Sequence, residues 1–268
     1  MTQSDHLSEA FKRDGVVVLP RLFDSGNIGI LTDALTYSRL NPSPMAREVK
    51  DDGGNTTFFT DFFTYKKNPH IRSILQERNF INLIRQVSGA TELRLFHDHV
   101  LIKTGDAPET PWHQDRPYYL VDGPISFSVW ITPDQVPLSE SLAFIRGSHA
   151  LGREFAPVNF NNGEIIDQDN NNFEHLNIKE IEELAQLGVL TFSLSPGDGL
   201  MFDNRIIHKA MRGNDEANRR ALSIRFVGDG AFMTARVINP TPPFHRMGLR
   251  IQEGKPVTDV WFPRVELI

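Results

Sequence analysis

From residue 91 onwards the chain consists mostly of short apolar segments separated by turns, and this pattern restricts the possible fold more than any other feature. The apolar segments span residues 93–103, 125–132, 142–145, 189–193, 199–202 and 221–227. Glycine, proline, serine and aspartate occupy the stretches between them, as at residues 195–199. Many short strands punctuated in this way are typical of a β-sandwich or a jelly roll. The sequence therefore predicts a mainly β core.

The first 90 residues have a largely helical pattern. Apolar spacing predicts helices at 4–14, capped by Ser4, and at 69–76 and 78–88, with a buried strand at 15–20. Residues 41–56 read as a long surface loop, and the wider segment 41–65 as a lid. Because all-β folds of this length are often single domains, we expect one domain over 1–268. It would comprise a helical part (1–90) packed on a β core (91–230), and a C-terminal extension (231–268).

Composition excludes several classes of function. The formal net charge of -6 argues against general nucleic-acid binding, which needs a basic patch. The chain has no cysteine, so disulfides and thiolate metal ligands are impossible. No apolar run reaches the roughly 18 residues of a membrane span, and the N-terminus lacks the pattern of a secretory signal. We therefore expect a cytoplasmic protein that binds neither nucleic acid nor membrane.

A possible metal site begins at His113 and Asp115, which are two residues apart, and is completed by the distant His208. On an extended segment His113 and Asp115 would point to the same side, and His208 would come from a neighbouring strand. Two imidazoles and one carboxylate that leave open positions are typical of non-haem Fe(II) oxygenases. The His-x-Asp tripeptide alone is a weak signal. Arg219, eleven residues after His208, could grip the carboxylate of a co-substrate through two parallel hydrogen bonds.

Several alternatives remain open at this stage. Arg220 is an alternative to Arg219 as the residue that binds the co-substrate. Since neighbouring residues of a strand face opposite sides, only one of the two can point into the site. His97 and His99 form a rival pair of imidazoles on one strand face, but no third ligand at a matching spacing is evident.

The motifs around these residues resemble those of the phytanoyl-CoA dioxygenase family. Residues 11–19 are similar to the family's opening helix and strand, and residues 141–149 to its small-residue strand with a Gly-Ser-His turn. Arg146 stands where the family usually has proline. The resemblance covers roughly residues 8–228.

This resemblance implies a double-stranded β-helix core of the jelly-roll, cupin-like type. It implies that His113, Asp115 and His208 bind Fe(II), and that Arg219 pairs with the distal carboxylate of 2-oxoglutarate. Four further residues are expected to contact the co-substrate: Gln114, Trp130, Ser128 and Lys103. Relatives that halogenate have a small residue at the position of Asp115, so a carboxylate there favours hydroxylation.

The implied function is an Fe(II)- and 2-oxoglutarate-dependent dioxygenase. It would consume O2, hydroxylate a small-molecule metabolite and release succinate and CO2. The same iron site could instead support desaturation, epimerisation or dealkylation. An alternative interpretation is a non-catalytic, cupin-like metal-binding sensor, which would not need Arg219 to bind 2-oxoglutarate. The sequence shows no clear basic cluster for a coenzyme A tail, and it does not indicate the oligomeric state.

Overall fold

The computed structural model describes residues 2–24, 26–105, 107–160, 164–166, 173–213, 218–236 and 240–268, without the side chains of residues 245 and 246. The helices are α1 Gln3–Asp14, α2 Ile28–Leu40, α3 Pro69–Leu75, α4 Arg78–Ser88 and α5 Ile178–Ala185. The strands are β1 Val16–Leu19, β2 Arg47–Lys50, β3 Thr56–Phe62, β4 Arg94–Lys103, β5 Thr110–His113, β6 Val121–Asp122, β7 Ser126–Ile131, β8 Leu142–Ile145, β9 Val189–Thr191, β10 Gly199–Asp203, β11 His208–Ala210, β12 Arg219–Val227 and β13 Phe232–Met233.

Two antiparallel sheets form the jelly-roll core predicted from the sequence. The large sheet has seven strands in the order β1-β10-β7-β12-β4-β3-β2, and the small sheet has four in the order β5-β11-β8-β9. Side chains from both sheets meet in one apolar cluster, which includes Leu200 and Ala221 of the large sheet and Phe144 of the small one. The space between the sheets is therefore the interior of the jelly roll.

Helices α1 to α4 cover the opposite face of the large sheet. Side chains alternate between the two faces of β12, and Leu222, Ile224 and Phe226 pack in the cluster that also holds apolar residues of these helices. Helix α4 contributes Phe80 and Ile84 to that cluster. The residues of β12 between these apolar positions face the jelly-roll interior, where the candidate metal ligands also lie.

Two local expectations differ from the structure. Thr2 rather than Ser4 caps α1, because its hydroxyl accepts from the Asp5 amide while the Asp5 carboxylate accepts from the Thr2 amide. Residues 41–56 are not entirely a loop, since β2 and β3 extend the large sheet beyond β4. Strand β3 is rich in threonine and phenylalanine, which favour a strand over a loop. The helices expected at 69–76 and 78–88 are confirmed to within one residue.

The C-terminal residues pack against the sheet through aromatic rings. The rings of Phe244 and Phe262 each lie 5.5 Å from the ring of Phe96 on β4. No helix within the described residues has both the length and the apolar character needed to cross a membrane.

The turn before β10 gives a direct test of this architecture. Gly197 has φ +86°, and a Cβ there would lie 2.1 Å from the backbone oxygen of Phe23. We expect Gly197→Ala to lower the free energy of unfolding by about 3 kcal/mol, from the left-handed backbone and the clash together. Gly254→Ala is the matched control, because Gly254 has φ +72° but no atom within 4 Å of the added Cβ. It should lose only about 1 kcal/mol. Equal losses in urea unfolding would contradict the tight packing of this turn.

Candidate metal centre

The three predicted metal ligands meet at one point inside the jelly roll. His113 ends β5 and His208 begins β11, and the two are Cα partners in an antiparallel pair. Their ring centroids are 4.3 Å apart. Oδ1 of Asp115 lies 3.5 Å from Nε2 of His113 and 4.0 Å from Nε2 of His208. All three residues are buried, and one ligand atom from each lies within 4.8 Å of the others.

Backbone carbonyls fix the tautomer of both histidines. Nδ1 of His113 lies 2.8 Å from the oxygen of Pro111, and Nδ1 of His208 lies 3.0 Å from that of Ile206. A carbonyl oxygen can only accept, so Nδ1 carries the proton and Nε2 keeps a lone pair for a metal. Burial lowers the pKa of His208 to about 4, which keeps its imidazole neutral at pH 7. Both rings are therefore prepared to act as ligands.

Asp115 is held as a carboxylate with one oxygen directed at the two imidazoles. Its Oδ2 accepts from Nη2 of Arg225 at 3.3 Å and lies 3.4 Å from the hydroxyl of Ser128. Burial opposes ionisation, but the Arg225 cation outweighs it and holds the pKa of Asp115 well below its usual range. Arg225 is itself fixed by a hydrogen bond to the hydroxyl of Tyr119. Oδ1 remains available to a metal.

The backbone at Asp115 differs from the sequence-based expectation. Strand β5 ends at His113, and Asp115 adopts helical angles (φ -74°, ψ -40°) at the start of a short 3-10 turn. The two side chains therefore converge because the chain turns after His113, and not because both lie on one extended segment. Pro117 favours this turn, since it stands within the first residues of a 3-10 helix.

The donor set fits Fe(II), because two imidazoles and one carboxylate bind one side of the ion and leave positions for other ligands. His113, Asp115 and His208 form the only such cluster within the described part of the chain. The alternative pair of imidazoles, His97 and His99, is not part of a metal-binding cluster among the described residues. Nδ1 of His97 lies 3.2 Å from the oxygen of Asp98, and Nε2 of His99 contacts the hydroxyl of Thr60.

A cavity of about 670 Å³ opens from the metal ligands towards the cationic side chains of Arg219 and Lys103. These two residues are Cα partners on β12 and β4, and both are buried. Nη2 of Arg219 donates to the oxygen of Met211 at 3.3 Å, while its Nη1 has no hydrogen-bond partner among the described residues. Lys103 donates to the same carbonyl of Met211 and to that of Pro108.

The electrostatics of this pair suit a bound carboxylate. Burial and the nearby Arg219 lower the pKa of Lys103 to about 7, and burial lowers the pKa of Arg219 to about 10. Two buried cations at one end of a cavity are stabilised by an anion, and the unpartnered Nη1 of Arg219 is a free donor for it. The distal carboxylate of 2-oxoglutarate has the charge that this pair requires.

The structure separates the remaining candidates by position. Arg220 is not directed into the cavity, because its guanidinium pairs with Asp134 at 2.6 Å and 3.1 Å. Trp130 lines the cavity, as expected. Gln114 and Ser128 lie outside its lining. The amide of Gln114 bonds the backbone of residues 153, 155 and 205, and the hydroxyl of Ser128 bonds Asp115 and Asn204.

Sequence reasoning missed Arg225, although a signal was present. Residues 219, 221, 223 and 225 alternate along β12, so Arg225 has to share the face of Arg219. What the sequence could not supply is its contact with Asp115, 110 positions away.

The contact between Arg225 and Asp115 predicts a measurable effect on metal binding. Arg225→Met should weaken Fe(II) binding about 10- to 100-fold, because the group that orients the ligand carboxylate is lost. Arg225→Lys should weaken it less, since a cation remains. Arg220→Met is the matched control on the opposite face of β12 and should leave Fe(II) affinity unchanged. Anaerobic Fe(II) titration measures all three, and equal affinities for Arg225→Met and the unmodified protein would contradict this role.

The sequence and the fold of this chain are each similar to those of known proteins. The protein-family model described as phytanoyl-CoA dioxygenase (PhyH) matches residues 11–221. No curated protein sequence is similar enough to count as a match. The fold is similar to the crystal structure of the epimerase SnoN in complex with Fe3+, alpha ketoglutarate and nogalamycin RO, with a TM-score of 0.77, 19% identity and 98% of each chain covered.

Two further solved structures share the fold. The carbocyclase SnoK from nogalamycin biosynthesis has a TM-score of 0.74 at 16% identity, with 98% of this chain and 96% of SnoK covered. EctD from S. alaskensis with 2-oxoglutarate and 5-hydroxyectoine has a TM-score of 0.69 at 19% identity, with 96% of this chain and 86% of EctD covered. Since the family model spans most of the sequence and the ligand triad is assembled, the chain belongs to the phytanoyl-CoA dioxygenase (PhyH) family of Fe(II)- and 2-oxoglutarate-dependent dioxygenases.

Proposed function

We propose that this dioxygenase hydroxylates a small-molecule metabolite in the cavity between the two sheets. The observation that carries the proposal is one continuous cavity, lined at one place by the His-Asp-His triad and at another by the buried cations Arg219 and Lys103. The overall change is that a substrate C–H bond, O2 and 2-oxoglutarate give an alcohol, succinate and CO2. A sensor without turnover would have no use for the cationic end of this cavity.

Each residue has a separate task in this proposal. His113, Asp115 and His208 hold Fe(II), and Arg219 and Lys103 bind the distal carboxylate of 2-oxoglutarate. Iron and 2-oxoglutarate, when bound, supply the chemistry that activates O2. The protein contributes orientation and an interior with little water, in which these charge pairs are strong.

Three other side chains complete the assignment. Trp130 forms a wall of the cavity beside the co-substrate. Gln114 bonds the backbone at residues 153 and 155, after β8, and the hydroxyl of Ser128 donates to Asp115. Both side chains therefore act through other residues.

The carboxylate at residue 115 takes the position that a halide would need, so it favours hydroxylation over halogenation. The solved structures show how widely the fold is used, since SnoN is an epimerase, SnoK is a carbocyclase and EctD was solved with 5-hydroxyectoine. These outcomes differ in how the substrate is placed against the metal and not in the ligand set. Desaturation, epimerisation or dealkylation at the same metal centre is therefore the second candidate.

The role of Arg219 can be tested without knowing the substrate, because 2-oxoglutarate-dependent dioxygenases convert some 2-oxoglutarate to succinate even when no substrate is present. Arg219→Met should raise the KM for 2-oxoglutarate about 100-fold, because the carboxylate loses its bidentate partner in a buried place. Arg220→Met should not change it, since Arg220 pairs with Asp134 outside the cavity. Succinate formation measures both values. The reverse ranking would assign this role to Arg220.

Lys103 predicts a pH dependence of co-substrate binding. Its pKa of about 7 means that it is protonated below neutral pH and loses its charge as the pH rises. The Kd for 2-oxoglutarate should therefore increase as the pH rises above about 7, until the higher pKa of the bound state is passed. Lys103→Met should bind 2-oxoglutarate more weakly and without this rise. A pH-independent Kd in the unmodified protein, measured by calorimetry under anaerobic conditions, would contradict the role of Lys103.

A further inference from the structure

Beyond the metal ligands, the cavity floor carries a compact group of polar side chains on β4 and β12. Arg225 is the Cα partner of His97, and Ser223 is the partner of His99. Directly opposite residues of an antiparallel pair project to the same face, with Cβ atoms about 5 Å apart. We call these four residues the polar subsite, and all of them line the cavity.

Every member of the polar subsite has a polar atom without a hydrogen-bond partner among the described residues. The atoms are Nε2 of His97, Nδ1 of His99, Oγ of Ser223 and Nη1 of Arg225. His97 and Ser223 are each 1% exposed and Arg225 is 7% exposed. Buried polar groups are nearly always bonded, since leaving one unbonded is unfavourable by about 1–3 kcal/mol. Four such atoms on one cavity floor therefore indicate a polar ligand.

The hydrogen bonding of His97 defines what that ligand must offer. Its Nδ1 lies 3.2 Å from the oxygen of Asp98, which can only accept, so Nδ1 carries the proton. Burial and the nearby Arg225 lower the pKa of His97 well below its usual value, so the ring is neutral. Nε2 is then an acceptor and requires an O–H or N–H group from the ligand.

Arg225 and Ser223 define the second requirement. Nη1 of Arg225 can only donate, so it requires an oxygen acceptor. The charge of Arg225 is already balanced by Asp115 at 3.3 Å, so a neutral oxygen satisfies it and a second carboxylate is not needed. The hydroxyl of Ser223 can donate or accept, and adapts to either.

Aromatic rings surround the polar subsite and limit the rest of the ligand. The ring of Phe62 stacks on His99 at 4.0 Å between centroids, and the ring of Tyr119 meets the edge of His97 at 5.8 Å. Phe160 lies 4.6 Å from the ring of the metal ligand His113. These walls favour an apolar ring or chain next to the oxygen functions.

We infer that the polar subsite binds the substrate to be oxidised, and that this substrate carries a hydroxyl group beside a second neutral oxygen on an apolar ring or chain. The hydroxyl donates to His97, and the second oxygen accepts from Arg225. Because Arg225 also holds Asp115, these contacts place the neighbouring carbon atoms close to the metal. The inference rests on the proposed function and adds the chemical class of the substrate.

The test compares two probes on the anaerobic protein loaded with Fe(II) and 2-oxoglutarate. One probe is a vicinal diol of tetralin, and the other is its dimethyl ether, which keeps both acceptors but has no donor. Ligand-observed NMR should show the diol binding about tenfold more tightly, since only the diol satisfies His97. His97→Phe should remove this preference. His97→Gln should keep most of it, because the glutamine oxygen can accept.

Fe(II) and 2-oxoglutarate affinities, measured for every variant, separate this inference from the proposed function. Equal binding of diol and ether by unmodified protein that binds Fe(II) and 2-oxoglutarate overturns the inference alone. Failure of the unmodified protein to bind both cofactors overturns the proposed function. His175→Phe is the matched control, because His175 is exposed outside the cavity, and it should keep the diol preference. If His97→Phe does not fold, the comparison of diol and ether on the unmodified protein decides alone, and equal binding of the two probes overturns the inference.

Discussion

The antiparallel pairing of two short strands, β5 and β11, is the interaction on which the whole site depends. It makes His113 and His208 direct partners and sets the separation of their rings. A slip of one residue would turn one imidazole to the other face of the small sheet and leave only one histidine at the metal. The turn after His113 then brings Asp115 back to the same point. The metal centre is thus specified by backbone hydrogen bonds before any metal binds.

Strand β12 is the second element on which the site depends, because one of its faces packs in the apolar core and the other lines the cavity. Leu222, Ile224 and Phe226 pack beneath the helices, while the alternate residues face the cavity. Arg219 lies at one end of that row and Arg225 at the other, beside the metal ligands. The register with β4 places Lys103 next to the first arginine and His97 next to the second. Sheet pairing therefore fixes the distance between Arg219 and the predicted metal ligands.

Much of the fold and of the candidate site can be predicted from the sequence. The part that can be predicted depends on motifs and on the spacing of residues within single segments. Most strand positions follow from the apolar runs, whereas the ligand triad and the choice of Arg219 over Arg220 depend on the family resemblance as well as on spacing. The partners of Gln114 could not be predicted, because they are backbone groups about 40 and 90 residues away. The pairing of β2 and β3 was also missed, because the turn-forming residues in 41–56 obscure the four residues of β2 and the start of β3. Such contacts depend on how distant segments come together in the fold, which a local pattern does not specify.

The most direct test of the metal centre is the visible charge-transfer absorption that forms when Fe(II) and 2-oxoglutarate are added together without O2. Both must bind to one site, with 2-oxoglutarate on the metal, for this band to appear. The unmodified protein should show the band, and His113→Ala and His208→Ala should both lack it. His175→Ala should keep it. An undiminished band in both ligand variants would contradict the assignment of iron to this site.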